Sequence, residues 1–258
     1  MASTQFVNIN SESFPAASKR VVFSMGGKGG VGKTGVMTLL AEWFQNAHVP
    51  FTLLDLDTEN KAAGSLKHYF PSSAHKINIH TPAGLDAFID YLAEDSAQAT
   101  PVVIADMGAG SGAVALDWFD TMHDEIGQLG VAFTAIGIIT PDPATVDSVL
   151  AWAARLQHRV AYLIVENAPN PQPDFSYWHK TLEAQRFRET FPPVVVSMEF
   201  RLPDLENAAR QHGATLGHVA GRQSSVPLLQ KTSFVLRAQA YRRRLFAEFD
   251  KAAHLLLP

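Results

Sequence analysis

The sequence predicts a single α/β domain in which a mostly parallel, twisted sheet carries helices on both faces. Two observations support this fold class. Short apolar runs alternate with segments of helical periodicity, and the polar residues that could carry chemistry follow the ends of those runs. Apolar residues make up 47% of the chain, which is enough to bury a full core. A length of 258 residues suits one domain of this kind, or at most two small ones.

The strands are predicted from apolar runs bounded by Gly, Pro or acidic residues. Val21–Met25 ends in glycines, and Phe51–Asp55 follows a proline and ends in an acidic cluster. Buried parallel strands read as continuous apolar runs, so we assign further strands to 101–105, 131–140, 161–165 and 194–197. Helical spacing of apolar residues predicts a helix after the first strand and others at roughly 83–93, 113–128, 144–157, 175–189 and 233–257.

The composition and the termini narrow the possible functions. Residues 1–18 are polar, without the basic start and apolar middle of a signal peptide, so we expect a flexible N-terminal arm before a domain that spans 19–258. No apolar stretch is long enough to span a bilayer, which predicts a cytoplasmic protein with no stable membrane insertion. The absence of Cys excludes disulfides, iron–sulfur clusters and cysteine nucleophiles. A net charge of −4 argues against general polyanion binding.

The segment Gly27–Thr34 satisfies the pattern G-x-x-x-x-G-K-[ST] between the first strand and the first helix. Its glycines let the backbone turn tightly and approach phosphate oxygens, and the N–H groups form an anion nest at the positive end of the helix dipole. Lys33 is expected to reach the β- and γ-phosphates, and Thr34 to offer its hydroxyl to Mg²⁺. The other interpretation is a structural glycine-rich turn, but the pattern is complete and lies where a P-loop must lie. The sequence therefore predicts a P-loop NTPase domain that binds ATP with Mg²⁺.

The second position of this loop adds a more specific resemblance. Lys28, followed by Gly-Gly-Val-Gly-Lys-Thr, resembles the deviant P-loop of the MinD/ParA ATPases, and the resemblance covers residues about 20–215. It implies a weak, partner-stimulated ATPase that forms a homodimer with ATP. Lys28 would then act in the other subunit's site, offsetting charge on the transferring phosphoryl group as arginine fingers do. An exposed loop lysine is the alternative interpretation.

The segment Leu54-Asp55-Leu56-Asp57 resembles the Asp-x-Asp of the family's first switch. The resemblance implies that Asp57 orients or activates the attacking water and belongs to the metal site. Family members often continue with Pro-Gln-Gly-Asn, whereas this chain has Thr58-Glu59-Asn60-Lys61. A solvated acidic loop is the alternative interpretation of this segment.

The second switch is predicted at Asp106–Gly110, which resembles the family's Asp-x-Pro-x-Gly. Asp106 follows a strand, at the Walker B position, and would hold Mg²⁺ through water. Gly110 would donate its N–H to the γ-phosphate. Gly108 stands where the family has a proline, so we expect a more flexible loop.

Asn167 matches a family asparagine that reads the adenine edge, with a turn-forming Asn as the alternative, and Phe200–Pro203 lies where the family places a loop against the base. The resemblance thus assigns Lys28 and Asp57 as catalytic residues and Thr34 and Asp57 as metal ligands. The expected nucleotide contacts are Gly27, Gly29, Gly30, Val31, Gly32, Lys33, Thr34, Gly35, Asp106, Gly110 and Asn167.

The C-terminal half resembles the TraL/StbB-type ATPases of conjugative and mobilisable plasmids. The residues concerned are Asp106–Ala109, Phe175–Trp178 and Arg242–Asp250. This resemblance implies that the protein positions or partitions a cargo, either plasmid DNA or a component of conjugation or secretion, directly or through a partner protein or cargo adaptor.

The final helix carries an apolar stripe for which we expect packing against the sheet. A membrane-surface helix is a weaker interpretation, because acidic residues lie among its basic ones. The helix also bears a basic cluster that could contact DNA non-specifically. Its members are Arg237, Arg242, Arg243 and Arg244.

Other classes remain open at this point. One is an ATP-dependent amide ligase of the same fold, such as dethiobiotin synthetase, and another is a nucleotide-binding module that does not turn over. A third is a protein-targeting ATPase. The targeting ATPases share the Gly-Gly-Lys-Gly-Gly-Val-Gly-Lys-Thr string but carry a methionine-rich insertion, whereas the six methionines here are scattered.

Overall fold

The computed structural model describes residues 17–57, 64–93 and 100–258. Within these ranges seven strands form one sheet, all parallel, in the order β3-β2-β4-β1-β5-β6-β7. The strands are β1 (Lys19–Met25), β2 (Phe51–Asp55), β3 (Ala74–Lys76), β4 (Val102–Asp106), β5 (Val131–Ile139), β6 (Ala161–Asn167) and β7 (Val194–Met198). The predicted α/β fold class with a parallel sheet is confirmed.

Eleven α-helices connect and cover the strands in the described part of the chain. They are α1 (Lys33–Asn46), α2 (Leu66–Tyr69), α3 (Pro82–Ala93), α4 (Gly112–Gly127), α5 (Pro143–Leu156), α6 (Ser176–Lys180), α7 (Leu182–Thr190), α8 (Pro203–Gln211), α9 (Leu216–Ala220), α10 (Thr232–Lys251) and α11 (Ala253–Leu256). Short 3₁₀ turns occupy Ala109–Ser111, Gln157–Arg159 and Pro227–Gln230.

The structure corrects several predicted elements. The edge strand β3 and the helices α2 and α9 were not predicted, because each is too short to show a periodicity of its own. The nine-residue helix α8 was also not predicted, although its buried residues Leu205, Ala208 and Ala209 lie at helical spacing. The helix expected at 175–189 is two helices, because Thr181 has extended backbone angles (φ −71°, ψ 144°) between α6 and α7. The helix expected at 233–257 also breaks, at Ala252, between α10 and α11.

The sheet is covered on both faces, which explains the unbroken apolar runs. All seven residues of β1 are buried, because this strand is central, between β4 and β5. One core packs α3, α4, α5 and α7 against one face, and the other packs α1, α10 and α11 against the opposite face. Core packing of the last helix's apolar stripe is therefore confirmed. Its buried members are Ala238, Tyr241, Leu245, Phe249, Ala252 and Leu256.

Two further expectations concern the N-terminal arm and the membrane. Most of the expected arm lies outside the described residues. Its last residue, Ser18, contacts the folded domain, since its N–H donates to the carbonyl oxygen of Gly130 at 2.9 Å. None of the helices within the described ranges combines the length and apolar character that crossing a membrane requires.

Candidate functional site: a cleft at the β1–α1 loop

The predicted P-loop connects the carboxyl end of the central strand β1 to the first turn of α1. The chain can make this connection because Gly30 and Gly32 adopt positive φ angles of 76° and 96°. Gly32 is also the N-cap of α1, and a Cβ there would lie 2.8 Å from Nδ2 of Asn167. Only glycine fits this position without displacing its neighbours. The loop therefore brings backbone N–H groups to the start of a helix, the arrangement that binds anions.

Two side chains hold the loop from inside. Lys33 is buried, and its Nζ donates to the carbonyl oxygen of Lys28 at 2.9 Å, across the loop. Asn167, at the end of β6, donates from Nδ2 to the carbonyl oxygen of Val31 at 2.9 Å. The asparagine expected to read a base thus also supports the loop itself. Both contacts fix the loop's shape before any phosphate is bound.

A cleft of about 680 Å³ opens over this loop. Its far wall is the segment before α8 and the first turns of that helix, including Arg201, Glu206 and Arg210. Phe200, which belongs to the loop predicted to lie against a base, is on the same wall. The volume falls in the range of small-molecule sites, about 300–1,000 Å³. The predicted site residues that line the cleft are Gly29, Gly30, Val31, Gly32, Lys33, Thr34, Gly35, Asp57 and Asn167.

Four predicted site residues do not line this cleft, and one of them is Asp106, which is buried. The N–H of Gly27 donates to Oγ of Ser148 on α5 at 2.7 Å, so it faces away from the cleft. Gly110 is exposed within the 3₁₀ turn after β4. Lys28 is about half exposed, and its Nζ pairs with Oδ2 of Asp142 at 3.4 Å. The amide expected from Gly27 is therefore already used within the protein, and Lys28 lies outside the cleft, paired with Asp142.

Asp106, at the end of β4, lies buried beneath the loop. The hydroxyl of Ser24 on β1 donates to its Oδ1 at 3.1 Å and accepts the N–H of Met107 at 2.9 Å. Burial raises the pKa of Asp106 to about 7, the hydroxyls of Thr34 and Ser24 oppose part of this rise, and the charges of Asp55 and Asp57 add to it. Sequence reasoning missed Ser24, whose only signal is a hydroxyl within an otherwise apolar strand.

The second oxygen of the Asp106 carboxyl, Oδ2, is buried and has no hydrogen-bond partner of ordinary geometry among the described residues. The Thr34 hydroxyl is a polar neighbour of this carboxyl. An unsatisfied buried carboxylate oxygen is costly. Its position next to the Thr34 hydroxyl, with the charges of Asp55 and Asp57 nearby, fits a divalent cation, which prefers oxygen ligands. Within the described ranges no group of three or more His, Cys, Asp or Glu side chains is placed to hold a metal ion by itself.

Asp57 is nearly buried at the edge of the cleft, and its backbone N–H donates to Oδ1 of Asp55 at 3.2 Å. Gly108 packs directly against it. A Cβ on Gly108 would lie 2.6 Å from Oδ1 and 3.2 Å from Cα of Asp57. The glycine at this position therefore has a packing reason beyond loop flexibility. The altered switch residues Thr58-Glu59-Asn60-Lys61 lie outside the described residues.

The predicted basic cluster on the last long helix is partly neutralised. Arg242 pairs with the buried Glu42 of α1 through Nε at 2.9 Å. Arg244 pairs with Glu199 at 2.7 Å. Arg237 and Arg243 are the exposed arginines that remain without such a partner in the described ranges. The cluster is therefore not a patch of four available cations.

No protein-family model matches the sequence, and a comparison with curated proteins finds no match either. Solved structures do resemble the fold. The MinC:MinD cell division protein complex of Aquifex aeolicus is 12% identical over 89% of this chain and 96% of that chain, with a TM-score of 0.46. A nucleotide-binding protein of Archaeoglobus fulgidus in complex with ADP is 16% identical over 83% and 91% of the two chains, with a TM-score of 0.43.

Chloroplast FtsY of Physcomitrella patens is 10% identical over 76% of this chain, with a TM-score of 0.49. The matched region spans 63% of that FtsY chain. These similarities are distant. The fold class is therefore assigned from the parallel sheet itself, and the chemistry of the site from the residues that form it.

Proposed function

We propose that this protein binds ATP with Mg²⁺ at the β1–α1 loop, hydrolyses it slowly, and uses the nucleotide to switch between a monomer and a homodimer. The observation that carries the proposal is the complete Gly27–Thr34 loop, folded between a central parallel strand and a helix N-terminus and facing a cleft of about 680 Å³. Such a loop presents converging N–H groups and the buried Lys33 to a single anion.

Different groups in the cleft would bind the phosphates, the metal and the base. Backbone N–H groups of 29–35 cradle the phosphates, and Lys33 exchanges its contact with the Lys28 carbonyl for a phosphate oxygen. Thr34 and Asp57 would ligate the metal, and Asp106 would hold it through water. Phe200 and Asn167 would face the base. A bound Mg²⁺ would neutralise charge on the β- and γ-phosphates.

Asp57 is the residue we assign to hydrolysis. It lines the cleft, and its position is fixed by the N–H contact to Asp55 and by Gly108. A carboxylate held at this edge can orient a water for attack and accept its proton. Slow turnover suits a switch, because the bound state must last long enough to recruit a partner.

The position of Lys28 is an argument for the proposed dimer. Its side chain is about half exposed and lies outside its own cleft, held to Asp142 by a surface ion pair. Exposed pairs of this kind contribute only ~0–1 kcal/mol. Lys28 can therefore leave Asp142 at little cost and enter a second subunit's nucleotide site, where it would offset phosphate charge.

For the cargo, we propose a component of plasmid transfer or partition reached through a protein partner. The TraL/StbB resemblance supports the plasmid context. The ion pairs of Arg242 and Arg244 weaken the case for direct DNA contact. Direct contact through Arg237 and Arg243 would show as DNA binding that weakens steeply as salt rises.

The experiment is gel filtration with light scattering, with and without Mg·ATP, on the wild type, Lys28→Ala and Asp57→Ala. The wild type should double its mass with ATP, Asp57→Ala should stay dimeric for longer, and Lys28→Ala should remain monomeric. Lys180→Ala, an exposed lysine on α6, is the matched control and should behave as the wild type. An unchanged wild-type mass with ATP would contradict the switch and favour an ATP-dependent ligase or an inert binding module.

A further inference from the structure

A second cavity of about 570 Å³ lies beside the nucleotide cleft, between α1, α8 and α10. Its size also suits a drug-sized small molecule. The two spaces share part of one wall. The shared residues are Gly35, Tyr69, Phe200, Arg201 and Glu206.

The walls of this cavity are largely apolar. They include Leu39 from α1, Leu205 from α8, and Leu236 from α10. Leu236 is 59% exposed, among the most exposed of the large apolar side chains in the described ranges. An apolar concavity of this kind, open on one side, is where the hydrocarbon part of a ligand gains by leaving water.

One polar group in the wall lacks a partner. Thr38 on α1 is 4% exposed and lines the cavity, yet its Oγ1 has no hydrogen-bond partner in the described ranges. A threonine inside a helix commonly bonds the carbonyl one turn earlier. Leaving a buried hydroxyl unpaired is unfavourable. The Thr38 hydroxyl is therefore available to a polar atom of a ligand.

The charges at the mouth favour an anion. Arg201 is paired with Glu206, and Arg244 is paired with Glu199. Arg237 also lines the cavity, is exposed, and makes no ion pair or hydrogen bond within the part of the chain that the structure describes. The rim therefore carries one uncompensated positive charge next to an apolar interior.

We propose that this cavity is a second ligand site, for an amphipathic small-molecule carboxylate. Its hydrocarbon body would lie among the leucines, its carboxylate would meet Arg237, and a polar atom at its other end would bond Thr38. This site goes beyond the proposed nucleotide function, since the groups that would hold the carboxylate and its polar end lie outside the phosphate-binding loop.

Calorimetric titration of octanoate into the nucleotide-free protein tests the proposal. Octanoate should bind saturably, and octanamide, which has the same length without the charge, should bind about three- to fivefold more weakly. Arg237→Gln should remove that difference. Arg186→Gln, an exposed arginine on α7 with the same change in charge, is the matched control and should keep it. Ala240→Trp, which fills the cavity from α10, should abolish binding of both probes.

The Thr38 assignment has its own test. The wild type should bind octanoate that carries a terminal hydroxyl more tightly than octanoate itself. Thr38→Val should bind the two ligands with equal affinity. The valine should not lower the melting temperature, since the hydroxyl it removes is unpaired. Equal binding of octanoate and octanamide by the wild type, or binding that survives in folded Ala240→Trp, would overturn the proposal. The proposal would also be overturned if neither octanoate nor octanamide bound saturably.

These titrations contain no nucleotide. A failure of the P-loop proposal would appear in separate ATP titrations, and a failure of the carboxylate site only in these. The two results are therefore distinguishable.

Discussion

Replacing Asp106 by Asn should shift the free energy of unfolding of the nucleotide-free protein increasingly in the variant's favour, relative to the wild type, as pH rises. Burial raises the pKa of this carboxyl from 3.8 to about 7, so the folded state binds the proton more tightly than the unfolded state. The contribution of the protonated Asp106 carboxyl to the free energy of unfolding is fully present below about pH 4 and is lost as pH rises through about 7. The whole effect is on the order of 4 kcal/mol, of which about 3 kcal/mol falls between pH 5 and pH 8. Asn has the same shape and keeps the acceptor for Ser24.

The amide N–H₂ of the introduced asparagine would point where Oδ2 of the aspartate has no partner, which costs ~1–3 kcal/mol at every pH. The informative quantity is therefore how the difference between variant and wild type changes with pH. Urea unfolding followed by tryptophan fluorescence, without nucleotide or metal, measures it. The advantage of Asp106→Asn should grow by about 3 kcal/mol from pH 5 to pH 8. Asp90→Asn, an exposed position on α3, should show no such growth. A difference that is the same at both pH values would refute the reasoning.

Three further predictions test the packing of Gly108 against Asp57, the ion pair between Glu42 and Arg242, and the packing around Gly137. Gly108→Ala should displace the Asp57 carboxylate, so phosphate release should slow by about tenfold or more while calorimetric Mg·ATP binding persists. Glu42→Ala should lower the free energy of unfolding in urea by about 3 kcal/mol, because it leaves Arg242 without its buried partner. Gly137→Ala should cost ~1–3 kcal/mol in the same assay, because a Cβ there would approach three core side chains within 3.0 Å.

Each of these has a defined contrary outcome. Wild-type turnover in Gly108→Ala would show that Asp57 does not need its present position. A loss below about 1 kcal/mol for Glu42→Ala would place that pair among ordinary surface ion pairs. For Gly137→Ala the matched control is Gly127→Ala on α4, where a Cβ meets nothing within 4 Å, and equal effects in the two variants would contradict the packing argument.

The sequence was most informative where the signal is local. The P-loop pattern spans eight consecutive residues, and the buried strands are continuous apolar runs, so both could be recognised without any tertiary contact. Short elements were missed for the opposite reason. The three residues of β3 form a strand only because they pair with β2, and no periodicity can appear over that length.

The site itself depended on contacts between distant residues. Ser148 removes the Gly27 N–H from the site across 121 residues of sequence, and Glu42 neutralises Arg242 across 200. Neither partner carries a motif, so the sequence assigned Gly27 to phosphate binding and Arg242 to a free basic cluster. The role of Gly108 was likewise invisible, because only the fold places it against Asp57.

Calorimetric titration of Mg·ATP into the wild type and Lys33→Ala tests the central claim most directly, since the buried Lys33 amine already reaches across the loop that would hold the phosphates. The account predicts saturable binding of one nucleotide per wild-type chain and at least tenfold weaker binding by Lys33→Ala, whose cooperative melting transition would show that it is folded. No uptake by the wild type, or equal affinity in the two proteins, would contradict it.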